Sequence, residues 1–376
     1  MSNLMQEGFD WLGGISGTSS IIAALTSAGY YRLGSDESYS VVASAFPDGG
    51  YALQNTDSNG GSNYYRQGFL KIFNVQRTTA YMGVRVHHYG AIQETDTQSN
   101  YERGNVPYFG VHDAVVDDVQ VSISQYQYGI IRVYRGRPVD GVLLGQTVPG
   151  VLVEGETAFI EAKVVIGATG SVEVRVNTKV VLSLPSVNTQ NTANGYYDSF
   201  FYGARRPGNF DTTTWRYDDI YVNDDQGSVN NNYLGNVRSR GSLVVADGDN
   251  TDFSIGGSSP ASTNWESVIS NAFNDVKYVY SGTPGDYDLY GIDPILSNVQ
   301  VHAVQVRAMM RMDDATQRIA GILLKINGTE YDPATDHYLN QSYTFYQDSW
   351  ELNPDTGVSF TGSEVNGMQI GVKVRV

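Results

Sequence analysis

Cysteine is absent from this chain, which removes disulfide frameworks and thiolate metal sites together. Burial and hydrogen bonding must hold the fold alone. Charge is scarce as well. Asp, Glu, Lys and Arg make up only 17% of the 376 residues, whereas a helical protein of this length would carry far more Lys, Glu and Leu. The charge that is present leans to one sign. Forty acidic residues against 24 basic ones leave a formal net charge of −16. That balance argues against nucleic acid as a partner, because such affinity rests on clustered Lys and Arg. It suits an abundant protein that must stay soluble. No apolar run approaches the roughly 18 residues that span a membrane, and the first residues lack a basic start followed by an apolar stretch. Neither a membrane span nor a signal peptide is expected. P-loop, dinucleotide fingerprint and Gly-x-Ser-x-Gly elbow are all missing.

What the chain does have is 41 glycines, 27 tyrosines and a 41% hydrophobic fraction. Gly, Asn, Ser and Thr punctuating short Val/Tyr runs predict an all-β protein with many turns. The period is 2 over long stretches. Met82, Val84, Val86 and His88 share one face, with Tyr81, Arg85 and His87 on the other. Val119, Val121 and Ile123 alternate with Ser122 and Ser124, and Val172, Val174 and Val176 oppose Glu173 and Arg175. Such strands carry one buried and one wetter face, as sheet-on-sheet packing requires. Turns are expected at Pro47-Asp48-Gly49-Gly50, Asn59-Gly60-Gly61 and Ala168-Thr169-Gly170. Val299–Met312 reads as one long central strand, and Met368, Ile370, Val372, Val374 and Val376 as one core-facing row. Periodicity lapses at 225–238. The resulting division is residues 1–29 as an N-terminal arm or first strand, 30–224 as a first domain, 225–238 as a linker and 239–376 as a second domain.

The segment Trp215-Arg216-Tyr217-Asp218-Asp219-Ile220-Tyr221-Val222-Asn223-Asp224-Asp225, followed by Asn231-Asn232-Tyr233-Leu234-Gly235-Asn236-Val237-Arg238, resembles the close of a known sandwich. It is the concanavalin A-like (laminin-G-like) domain carried by many tailed-bacteriophage structural proteins. Gly170-Ser171-Val172-Glu173-Val174-Arg175-Val176-Asn177, Met309 to Ala315, Asn353 to Gly357, Glu364 to Asn366 and Gly371 to Lys373 are similar to further parts of that family. The likeness is clearest from about residue 150 onward. It implies a concanavalin A-like jelly-roll β-sandwich followed by a second, smaller β-sandwich. It also implies a virion protein, assembled in the host bacterial cytoplasm.

Candidate chemistry follows from that fold. Glucanases of the concanavalin A-like class carry Glu-x-Asp-x-Glu on one strand, so that two carboxylates flank the glycosidic bond. Here Glu173-Val174-Arg175-Val176-Asn177 offers one carboxylate and an arginine. No glycosidase is expected on it. Calcium, a hard cation that takes oxygen ligands, has Asp218, Asp219 and Asp224 as its candidate ligands, although paired Asp at strand ends also serve as turn formers. His87 and His88 point to opposite faces and cannot share an ion. Tyrosines cluster at Tyr30-Tyr31, Tyr64-Tyr65, Tyr126 with Tyr128, Tyr196-Tyr197 and Tyr343 with Tyr346. Flat amphipathic rings suit subunit interfaces and sugar stacking alike. The expectation is therefore a non-enzymatic structural protein of the particle exterior, a head decoration, fibre, tail or collar component. It would act through interfaces with copies of itself and other virion proteins, with no nucleic-acid or membrane partner. The alternative is a lectin-like adhesin of the phage tail that binds a host surface glycan.

Overall fold

The structure, a computed structural model, describes residues 3–34, 38–44, 49–57, 65–88, 106–138, 140–206, 213–269, 275–333 and 335–376. Pro47-Asp48, Asn59-Gly60-Gly61 and Tyr64 lie outside the described residues. The chain divides into two units, Met1–Arg240 and Gly241–Val376.

Alternating sequence becomes antiparallel sheet throughout the first unit. Its strands are β1 (Asn3–Glu7), β2 (Tyr30–Leu33), β3 (Ser38–Ala43), β4 (Tyr51–Asp57), β5 (Tyr65–Arg77), β6 (Thr79–His87), β7 (Val106–Asp113), β8 (Asp118–Tyr126), β9 (Ile130–Arg135), β10 (Val142–Gln146), β11 (Thr157–Val165), β12 (Gly170–Val176), β13 (Lys179–Val187), β14 (Tyr197–Arg206) and β15 (Thr213–Asn223). The first sheet runs β13-β12-β11-β6-β15-β4-β3, with β1 paired to β15. The second runs β10-β9-β8-β7-β14-β5-β2. Helix α1 (Thr18–Ser27) links β1 to β2 and buries Ile21, Ala24 and Leu25. The architecture is the expected one, an all-β jelly-roll sandwich followed by further sheet.

Aromatic side chains fill the space between the two sheets. The rings of Tyr202 on β14 and Tyr217 on β15 meet edge-on with centroids 6.1 Å apart. The Tyr217 hydroxyl donates to the Gly203 carbonyl at 2.9 Å. Tyr39 on β3 lies 4.9 Å from Phe69 on β5. Trp215, Tyr217, Tyr202, Phe69 and Phe200 have no exposure, and burial stabilises each by roughly 1.5–3 kcal/mol.

The outward face of the first sheet was expected to be wetter, and it is covered. Tyr233, Leu234 and Val237 pack on Tyr81, Phe159 and Tyr221. The segment read from sequence as a linker is thus a strap laid across β6, β11 and β15. Its backbone is tied down from below. Gly235 N–H donates to Glu161 at 2.8 Å, Leu234 N–H donates to the Tyr221 hydroxyl at 3.2 Å, and Arg85 donates to the Val237 carbonyl at 2.8 Å. Gly83 makes room underneath, because a Cβ there would stand 2.2 Å from the Tyr221 ring.

The second unit centres on a six-stranded sheet of Val244–Thr251, Tyr287–Ile292, Gln369–Val374, Ile319–Ile326 and Thr329–Tyr331, with His337–Tyr338 paired to Ile319–Ile326. Two expectations need correcting here. Val299–Met312 is not one central strand. It splits into Gln300–Val301 and Val304–Met310, and among the described residues the latter pairs only with Thr344–Trp350. Val304 and Val306 sit in the core with Ile322, Leu324 and Phe360. The C-terminal strand is central by hydrogen bonding, between Tyr287–Ile292 and Ile319–Ile326. Its row of apolar residues is nevertheless only partly buried. Met368 is 4% exposed and Val376 52%.

Candidate functional site

Asp218 and Asp219 occupy a bulge in β15. The register against β6 shifts between Asp218 and Tyr221, and Asp219 adopts a left-handed φ of 48°. A bulge re-aims successive side chains, so the two carboxylates part company. Asp219 faces Arg85 at 2.6 Å and Arg238 at 3.5 Å and accepts Ser239 N–H at 2.8 Å. Asp218 accepts the Ser44 hydroxyl at 3.1 Å. Burial, then the neighbouring Asp219 charge, pushes its carboxyl up to about 8. Asp224 is paired with Arg77 and accepts Gln226 N–H. The three calcium candidates are therefore not gathered round one point. Two of them face arginines, and the Asp-Asp string with its Tyr-Leu-Gly-Asn-Val-Arg sequel is the locking network of the strap.

Glu173 is spent in the same region. It pairs with Arg175 at 2.8 Å, and the Arg175 guanidinium lies over the Tyr233 ring at 3.7 Å. His87 and His88 diverge, as alternation requires. Burial lowers the pKa of both, aided for His87 by Arg216 and opposed for His88 by a hydrogen bond to Gln125. A Ser-His-Asp constellation that sequence reading missed joins Ser199 to His112 Nδ1 at 3.2 Å and His112 Nε2 to Asp117 at 3.6 Å. Its accessibility is inverted for nucleophilic catalysis. Ser199 and His112 have no exposure, while the Asp117 side chain is 64% exposed.

The outward face of the second sheet has a different character. With Phe69, Phe200 and Tyr202 turned inward, alternation places Leu70 and Phe201 outward, and they cluster with Tyr108. Two rows cross this face in register. One runs Arg132, Ser124, Tyr108, Gly203, Gly68, Leu33, and the other runs Tyr134, Ser122, Gly110, Phe201, Leu70, Tyr31. Serines and glycines keep the middle low. That floor is buried, with Tyr108, Phe201 and Ser122 at 0%. At the margin formed by β8, β9 and β10 the face opens in part, with Gln146 exposed, Tyr126 and Arg132 half-buried and Tyr134 buried. There the Arg132 guanidinium lies 3.4 Å from the Tyr126 ring centroid. It donates to the Gln146 side chain at 3.0 Å and to the Tyr134 hydroxyl at 3.4 Å.

Charge separates the two sheets. The strands of the second carry eight bases (Arg32, Arg66, Lys71, Arg77, Arg132, Arg135, Arg205, Arg206) against three acids (Asp113, Asp118, Asp198). Those of the first carry five (Arg85, Lys163, Arg175, Lys179, Arg216) against six (Glu7, Asp57, Glu161, Glu173, Asp218, Asp219). In a chain of net charge −16, the strands of the second sheet thus carry more bases than acids, and alternation places Arg132 on its outward face. Sequence reading named Tyr126 and Tyr128 but missed Arg132, Tyr134 and Gln146. The spacing of Arg132 and Tyr134 on one strand was the available signal.

No protein-family model and no curated protein matches the sequence. Solved structures with a similar chain path include the endo-β-1,4-glucuronan lyase of the fungus Trichoderma reesei, at 14% identity and TM-score 0.39, covering 52% of this chain and 91% of that one. The alginate lyase vAL-1 of a Chlorella virus is 12% identical with TM-score 0.35, covering 56% and 98%. A carbohydrate esterase of the Shiga toxin-encoding bacteriophage phi24B is 12% identical with TM-score 0.38, covering 59% and 98%. Two expectations are corrected here, that of a non-enzymatic structural protein and that of no enzyme. The proteins that this chain resembles are polysaccharide lyases and an esterase rather than structural proteins of the virion. The expectation of no enzyme also rested on a test for paired carboxylates. Elimination at a uronic acid needs none; it needs a cation to hold the sugar carboxylate and a phenol or imidazole to move a proton. The fold shared with these structures is a jelly-roll β-sandwich.

Proposed function

We propose that the first unit binds an acidic polysaccharide at the β8–β10 margin of its second sheet and cleaves it by elimination. The observation that carries this reading is Arg132, stacked on Tyr126 and hydrogen-bonded beside Tyr134 and Gln146. A guanidinium presents a planar fork that matches a carboxylate. Held against a uronate carboxylate, it withdraws charge and makes the adjacent C5 proton acidic. The half-buried Tyr126, whose ring lies against Arg132, is the phenol placed to carry a proton. Removal of the C5 proton lets the C4–O bond break, the electron pair forms a C4=C5 double bond, and the leaving oxygen takes up a proton. Gln146 supports the bound carboxylate through its amide. A phage particle, the location that the sequence resemblance implies, is part of this proposal as the place where such a domain would meet a host surface polymer.

The test is affinity electrophoresis of the full chain through gels containing polyuronates. Retardation should be strong for the wild type and for Glu173→Gln, and should fall roughly tenfold for Arg132→Ala, the loss of about one charge-assisted contact. Equal retardation of wild type and Arg132→Ala would remove the site from this margin.

A further inference from the structure

The turn between β8 and β9 holds a tyrosine in a backbone conformation that tyrosine disfavours. Tyr128 sits at φ 56° and ψ 24°, in the left-handed region where a bulky side chain crowds its own backbone. The surroundings enforce this. Gly129 follows at φ 67°, and a Cβ there would stand 1.9 Å from the Leu152 carbonyl oxygen. Gly150 N–H donates to the Tyr128 carbonyl at 2.7 Å, and Leu152 N–H donates to Gly129 at 2.9 Å. Glycine or asparagine would take this turn with less strain. The Tyr128 ring does not repay the strain by packing, since the residue is 72% exposed.

Its neighbours share that exposure. Val148 is 72% exposed and Val153 52%, in the segment that the turn's own hydrogen bonds hold in place. Tyr128 follows Tyr126 by two residues and Val148 follows Gln146 by two. Tyr128 and Val148 thus continue, by two residues each, the ends of β8 and β10 that carry Tyr126 and Gln146, and the Gly150–Tyr128 and Leu152–Gly129 hydrogen bonds draw the two segments together. A rigid, amphipathic ring at a fixed angle offers contact area with little rotamer entropy left to lose. Strain of this kind persists where the surrounding structure over-determines it, commonly at ligand-binding sites.

We infer that Tyr128, flanked by Val148 and Val153, is a stacking platform for the apolar face of a sugar ring, next to the ring whose carboxylate Arg132 holds. The inference rests on the reading of the Arg132 margin given above. It assigns the strained turn a job in substrate binding that folding does not give it.

The experiment measures two quantities on the full chain, the melting temperature of the first unit and affinity for a polyuronate. Tyr128→Gly should raise the melting temperature by about 2–4 °C, because the strain is relieved. The same variant should bind the polymer roughly tenfold more weakly. Tyr128→Trp, which keeps a flat ring, should bind as the wild type does. Unchanged affinity in Tyr128→Gly, with Arg132→Ala still impaired, would overturn the platform and leave the Arg132 site standing. A lowered melting temperature in Tyr128→Gly would overturn the strain argument and the platform with it. A wild type that binds no polyuronate would sink both the site and this inference.

Discussion

At the scale of single residues, Asp218 shows how far environment outweighs residue type. Its carboxyl is pushed up to about 8 from an ordinary 3.8, by burial first and Asp219 second. The folded pKa lies above the unfolded one, so the native state keeps a proton that the unfolded chain releases. Stability from this group is fully present below about pH 4 and is lost as pH rises toward 8. Asp218→Asn, which mimics the protonated form, should flatten that decline and stabilise the first unit at pH 8 by on the order of 2–4 kcal/mol. Urea unfolding of wild type and variant at pH 5 and pH 8 checks this, and parallel losses in the two proteins would refute it. The sequence showed that Asp218 and Asp219 mattered, but the reason for it was out of reach. Two adjacent acids suggest a cation. The bulge that turns one toward Ser44 and the other toward Arg85 depends on partners 174 and 134 positions away. Arg132 and Tyr134 were hidden for a similar reason. Their meeting with Tyr126 and Gln146 is set by the register of β8, β9 and β10.

Elements were more legible, because a period of 2 is written locally. The buried row Met82, Val84, Val86 on β6 could be read directly. Where reading failed, pairing or covering decided the outcome. Val304–Met310 is apolar enough for a central position yet gains a single partner strand. Residues 225–238 carry the Asn, Gly and Ser of a linker, and they are held by Glu161, Tyr221 and Asp219 side chains that lie on other strands. This strap yields a prediction at the element scale. Leu234→Asp would set a charge among Tyr81, Phe159 and Tyr221. It should cost the first unit about 2–4 kcal/mol and expose 225–240 to proteases that leave the wild-type segment uncut. Rapid cleavage of the wild type there, before any loss of the first unit's fold, would show that the strap is only a tether.

For the whole molecule, the informative quantity is how charge is distributed over a strongly acidic chain. The two sheets of one sandwich share a core but not a surface. Five bases stand against six acids on the strands of the first sheet, and eight against three on those of the second. Composition averages this away, which is why a net charge of −16 pointed to solubility rather than to a substrate. Aromatic residues divide as well, with Trp215, Tyr217, Tyr202, Phe69 and Phe200 filling the core of the first unit while Tyr126 and Tyr128 reach the β8–β10 margin. The measurement that tests the account most directly compares two polymers that differ only in the acid group, a glucuronan and its unoxidised parent glucan. Each is incubated with the wild type and with Arg132→Ala, and the ultraviolet absorbance of new conjugated double bonds is followed. The account predicts product from the glucuronan alone, lowered at least about tenfold by Arg132→Ala. No unsaturated product from any polyuronate, or equal action on the neutral glucan, would contradict it.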